Sequence, residues 1–149
     1  MYKPLIAILA IAAGATCAAS AYTPDQIRSV IRQFGGPERF LAAMATRTAK
    51  ASGQMIDAQT QITGAAAIRN TIVYYMRLVN YEKADIPDLS AARRSIASTL
   101  SPSICTDPVA SILIHEYGAE YKYMAYSKSR VYLFDYSFNR STCVPGYRW

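Results

Sequence analysis

Between Glu120 and Phe138 the chain leaves itself one choice of backbone. Glu120-Tyr121-Lys122-Tyr123-Met124-Ala125-Tyr126 sets tyrosines at alternate positions 121 and 123, Ser127-Lys128-Ser129 follows, and Arg130 through Phe138 again sets aromatic rings at every second residue. A period of two belongs to a strand with unlike faces, and the small polar break makes the two runs a β-hairpin. In the returning strand Tyr132, Phe134, Tyr136 and Phe138 fall on one face, with Val131, Leu133, Asp135 and Ser137 on the other. Side chains that large cannot all remain in water, so one face of this hairpin must lie under another layer.

The helices that supply that layer are legible upstream. Thr23 can cap a helix with Asp25 and Gln26 in its first turn, and Ile27, Val30, Ile31 and Phe34 follow at i, i+3, i+4, i+7. Gly35-Gly36 ends it, and Pro37 opens a second helix with Phe40, Ala43, Met44 and Ala51 on its apolar side. The period then changes to two in Ile56-Asp57-Ala58-Gln59-Thr60-Gln61-Ile62. Gly64 and the alanines after it read as a turn, and Thr71 to Val79 as a longer, β-branched and aromatic strand. A third helix begins after Asp88 with Leu89, Ala92, Ile96 and Leu100 as its stripe, and Ser101-Pro102 is expected to stop it. Asp107-Pro108 starts a fourth, with Val109, Ile112 and Leu113 inward and Gly118 at its end. The order ααββααββ predicts an α+β domain, a four-stranded antiparallel sheet with its helices packed on one face.

The N-terminus predicts where that domain works. Lys3 precedes an uncharged run from Leu5 to Ala13, too short to span a bilayer, and Ala19-Ser20-Ala21 offers an A-x-A cleavage site. Residues 1–21 therefore read as a signal peptide and 22–149 as a single domain. An uncleaved anchor helix and lipidation at Cys17 are the alternatives. Cleavage leaves Cys105 and Cys143, which in an oxidising compartment have one pairing open to them. It also leaves 15 basic against 10 acidic residues, a net +5 from the whole chain's +6 once Lys3 is removed. The cations are scattered with no run longer than two, which argues against a nucleic-acid partner.

Asn70-Thr71-Ile72-Val73-Tyr74-Tyr75, Ile104-Cys105-Thr106-Asp107-Pro108, Gly118-Ala119-Glu120-Tyr121-Lys122-Tyr123 and the closing Cys143 together resemble the quorum-sensing-regulated virulence factor family. The resemblance covers roughly residues 54–143. It implies an exported α+β domain with a Cys-helix-hairpin-Cys end and an association with virulence, and it carries no catalytic motif. Such proteins often turn their last hairpin through an acidic residue and glycine, where this chain has Ser127-Lys128-Ser129.

No constellation announces catalysis or a cofactor. His115 is the only histidine, Cys105 and Cys143 lack metal-ligand spacing, and no glycine-rich phosphate loop is present. The carboxylates of Glu116, Glu120 and Asp135 leave open a small hydrolase, and the size and bridge also suit a periplasmic inhibitor or immunity protein. The leading expectation is a non-enzymatic, exported interaction protein, periplasmic or secreted, with an envelope or extracellular protein as partner. Its contact residues are expected among Tyr121, Tyr123, Tyr126, Lys128, Arg130, Tyr132 and Tyr136, because tyrosine joins apolar area to a polar tip. No stable membrane span is expected after cleavage.

Overall fold

The computed structural model describes residues 22–149. The leader, its cleavage site and Cys17 lie outside the described residues. No described helix is long and apolar enough to cross a membrane.

Helix α1 (Pro24–Gln33) opens on a reciprocal cap, in which the Thr23 hydroxyl accepts from the Gln26 amide and Gln26 Oε1 accepts from the Thr23 amide. It buries Ile27 and Ile31. Gly35 and Gly36 both take positive φ (86° and 111°), a conformation that costs glycine little and lets the chain reverse within two residues into α2 (Pro37–Lys50). The buried stripe of α2 is Phe40, Leu41, Ala45 and Thr48, a rotation from the expected one, and Ala51 is exposed as the helix cap.

Strand β1 (Thr60–Ile68) begins later and runs further than its sequence predicts. Asp57 accepts from the amides of Gln59 and Thr60 and turns the chain, so that residues 53–56 fold back along 60–62 instead of opening the strand. Gly64 sits inside the strand at a bulge, and the turn into β2 (Thr71–Leu78) is Arg69-Asn70, with Arg69 at φ 53°. The Gly-Ala-Ala-Ala run has poor strand propensity of its own. Pairing to β2 holds it in place.

Helix α3 spans Leu89–Thr106 and runs through Pro102, where a stop was expected. Proline removes one backbone donor, but its neighbours compensate. Thr106 donates its hydroxyl to the Pro102 carbonyl, Ile104 is buried, and Cys105 is bonded to Cys143. Asp107 then caps α4 (Pro108–His115), accepting from Val109 and Ala110 at 2.9 and 2.8 Å. Burial pushes its carboxyl upward against the pull of those two bonds.

Strands β3 (Glu120–Tyr126) and β4 (Tyr132–Phe138) form the predicted hairpin. The sheet order is β1-β2-β3-β4, and it is mixed, not antiparallel throughout, because β2 and β3 run parallel from Thr71↔Glu120 to Arg77↔Tyr126. The reason is the connection. The segment carrying α3 and α4 separates the two strands, and a helical crossover of that length carries the chain back to the end where β2 began, so that β3 starts beside Thr71. Helix α2 packs on β1 and β2, α3 on β4, and α1 and α4 close over them, giving one helical layer. Opposite it stand Ile72, Tyr74, Met76, Leu78, Tyr121, Tyr123, Ala125, Phe134, Tyr136 and Phe138, all buried.

Cys105 in the last turn of α3 and Cys143 beyond β4 form the expected disulfide, with Cα atoms 5.3 Å apart.

Candidate partner-binding face

The seven residues expected to form a contact surface are divided by the sheet. Tyr121, Tyr123 and Tyr136 point into the helical layer and are buried, so they build the core and are no part of a surface. With Tyr74 they make a stacked array. Tyr74 and Tyr123 lie 5.0 Å apart, Tyr123 and Tyr136 5.4 Å, and Tyr74 and Tyr121 6.4 Å between ring centroids. Burial is the first cause that holds all four phenols above their ordinary range.

That shift has a sign. A phenol whose folded pKa is raised leaves stability intact below its unfolded value of about 10 and removes it as pH rises beyond. Tyr74, Tyr121, Tyr123 and Tyr136 are therefore expected to ionise together with loss of the fold above about pH 10. Tyrosinate absorbance and far-ultraviolet circular dichroism should report one coincident step for them. Ionisation of these rings in a protein that keeps its dichroism would contradict their buried, stacked packing.

The remaining residues lie on the other side. A bulge opposite Ala125 and Tyr126 inserts Leu133 into β4, so Tyr132 pairs with Tyr126 and shares its face, not that of Phe134, Tyr136 and Phe138. This corrects the face expected for Tyr132. On the side away from the helices Tyr75, Tyr126 and Tyr132 form a ladder across β2, β3 and β4, with ring centroids 6.4 and 6.0 Å apart. Tyr75 also lies over Gly64 of β1, where an added Cβ would stand 3.6 Å from its ring. Met124 and Val73 fall on the same side in the strand alternation, and Tyr132 is 45% exposed. Tyr75 was not foreseen as a site residue, although its place opposite Tyr74 in the alternation of β2 was visible.

Charges on this face are held. Asp135 Oδ2 accepts from the Tyr132 hydroxyl at 3.0 Å and meets Lys122 Nζ at 3.3 Å, while Arg77 donates to Gln61 Oε1 at 2.6 Å. The Arg77 Nε is buried without a partner among the described residues.

The hairpin tip beside Tyr132 is rigidly mounted. Ser127 is fully buried, its hydroxyl accepting from the Val131 amide, and the Lys128 amide donates to the Tyr81 carbonyl. Ser129 donates to Glu82 at 2.6 Å, which holds that carboxyl below its usual range. Lys128 and Arg130 stand exposed on this mount, Arg130 at φ 66°. Two cations are thus presented next to an aromatic edge.

The other chemistry considered from sequence is dispersed. His115 is exposed. Glu116 forms a two-pronged contact with Arg28 at 2.7 and 2.9 Å, tying α4 to α1, and that bond draws its carboxyl below the usual range. Asp135 is engaged as above, and Glu120 opens β3, half-buried. Among the described residues no three His, Cys, Asp or Glu side chains are gathered as a metal site would need.

Neither a family model nor a curated protein matches the chain. Solved structures do. A pilotin of the Vibrio vulnificus type 2 secretion system matches with a TM-score of 0.59 at 13% identity, over 79% of this chain and 98% of that one. The type II secretion system pilotin of Vibrio cholerae matches with a TM-score of 0.53 at 12% identity, over 77% and 96%. A Pseudomonas aeruginosa protein described as a candidate secreted protein matches with a TM-score of 0.54 at 17% identity, over 72% and 96%. At these identities the likeness establishes a shared fold.

Proposed function

We propose that this chain is an exported, non-enzymatic envelope or extracellular protein that holds a protein partner against the Tyr75–Tyr126–Tyr132 face and the Lys128–Arg130 tip. The observation that carries the reading is the split of the tyrosines. One set of four satisfies the core, and a second set of three is turned away from it, beside a tip whose backbone is fixed before any partner arrives. Large rings with few rotatable bonds lose little entropy on contact, and cations at the rim steer a partner bearing carboxylates. The fold it shares with two secretion-system pilotins supports a role in envelope assembly in place of catalysis. The disulfide supports export. The virulence association implied by the resemblance over residues 54–143 belongs to the same proposal.

Capture from oxidising envelope extract and culture medium with tagged residues 22–149 tests it. Replacing Tyr126 and Tyr132 together with serine is expected to weaken the captured complex by about 2 kcal/mol or more, roughly 30-fold in Kd, with the melting temperature within a few degrees of wild type. Undiminished capture by that variant would remove this face from the binding surface. A hydrolase in the eluate would give the partner an inhibitor's target.

A further inference from the structure

The two edges of the sheet are finished differently. On β4, Arg93 of α3 donates its Nε to the Asp135 carbonyl at 2.7 Å, so a cation from the helix occupies the middle of that edge. On β1 the first half is closed by the chain itself. Gly53 donates to the Ile62 carbonyl, Ile62 to the Gln54 carbonyl, and Ile56 to the Thr60 carbonyl, so residues 53–56 lie along it antiparallel, through the bridge Met55↔Gln61. That lane stops at the bulge after Ile62. From Gly64 to Ile68 no described strand follows it.

The backbone polarity of this open stretch is set by its turn. A two-residue hairpin makes Ile68 and Thr71 a hydrogen-bonded pair, and alternation then directs the N–H and C=O of Ala65 and Ala67 outward. Sheets usually blunt such an edge with lysine, proline or a bulge. Gly64-Ala65-Ala66-Ala67-Ile68 has no charged residue and no proline, and Ile68 is 66% exposed. Beside it runs a groove of about 510 Å³ between α2 and β1, lined by Ala42, Ala45, Thr46, Ala49 and Lys50 on one wall and by Ala65 to Ala67 on the other. Alanine walls leave room for the side chains of an incoming strand. Exposed Lys50 and Arg69 stand near the stretch, and both charges favour a carboxylate.

We infer that the β1 edge from Gly64 to Ile68 accepts an extended segment of a partner protein as a further strand, apolar at alternate positions and acidic at one end. Residues 53–56 show the same mode on the same edge, and the incoming segment continues their lane. The outward groups of Ala65 and Ala67 supply its main-chain bonds, and the groove takes every second side chain. This surface opens on the α2 side of the sheet and meets the tyrosine face only at Gly64, beneath the Tyr75 ring.

Labelled peptides Asp-Thr-Val-Thr-Val-Thr-Val and Val-Thr-Val-Thr-Val-Thr-Asp, which offer the acid at either end, are titrated against residues 22–149 by fluorescence anisotropy. One of them is expected to bind and to slow amide exchange at Ala65 and Ala67. Ala67→Pro removes an outward donor and leaves the ladder to β2, so it should weaken binding about tenfold. Thr46→Arg fills the groove from an exposed site on α2 and should do the same in a chain whose strand is untouched. Tyr126→Ser should leave peptide binding unchanged, which separates this edge from the proposed face. Binding by neither peptide, equal affinity in both edge variants, or protection at amides other than these overturns the inference. So does a concentration-dependent dimer that excludes the peptide, since the edge would then belong to a second copy.

Discussion

Replacing Cys105 and Cys143 together by alanine is expected to destabilise the domain by about 4 kcal/mol, a large part of the 5–15 kcal/mol typical of a domain. The bridge closes a separation of 38 residues, and in the chain-entropy account most of its effect is the freedom it removes from the unfolded chain. The folded state adds a reason for the cost to be felt. Within the closed loop lie α4 and the whole β3–β4 hairpin, whose rings fill the core. The bridge also fixes the last turn of α3 beyond Pro102, where the helix lacks a backbone donor, and the tail in which Trp149 meets Phe138 at 5.1 Å. Urea unfolding of oxidised wild type and the double variant should show a midpoint lowered by about 2 M. Reducing the wild type should reproduce the shift. A shift below about 1 kcal/mol would mean that the α3 end and the tail hold their places without the bond.

What the sequence disclosed and what it hid divide along one physical line. Local signals spoke clearly. Thr23, Asp88 and Asp107 cap helices as their side chains predict, and the period of two in β3 and β4 gave the hairpin. Signals that depend on neighbours did not. Nothing in Gly64-Ala65-Ala66-Ala67 favours a strand until β2 and the Tyr75 ring are alongside, and nothing in Arg69 announces a left-handed turn. Pro102 reads as a stop because two of the contacts that carry the helix past it, the burial of Ile104 and the Cys105–Cys143 bond, are made to other segments. The parallel pairing of β2 and β3 follows from the helical crossover between them, a pairing of distant segments that the local alternation of the two hairpins does not encode. For the candidate face, alternation divided the tyrosines into sets but could not say which set met the helices, and the single inserted residue Leu133 moved Tyr132 from one set to the other.

That insertion makes the sharpest contrast among single substitutions. Tyr136→Ser is expected to cost about 3–5 kcal/mol, the range for truncating a large buried ring, whereas Tyr132→Ser four positions earlier should cost about 1 kcal/mol or less. Tyr136 is 1% exposed, stacks on Tyr123, meets Phe138 edge-on at 5.7 Å and points its hydroxyl toward Met76 Sδ at 3.9 Å. Serine there would leave a cavity walled by rings that the sheet backbone holds apart, so little collapse can offset the loss. Tyr132 is 45% exposed and gives up one edge contact with Tyr126 and one hydroxyl bond to Asp135, whose carboxylate keeps Lys122. Without the bulge the two residues would share a face, and their replacement would cost alike. Equilibrium unfolding of the two variants therefore reads the bulge itself. A difference under about 1 kcal/mol would restore Tyr132 to the core and leave the outer face without its exposed ring, while the expected gap frees Tyr132 for contact with a partner.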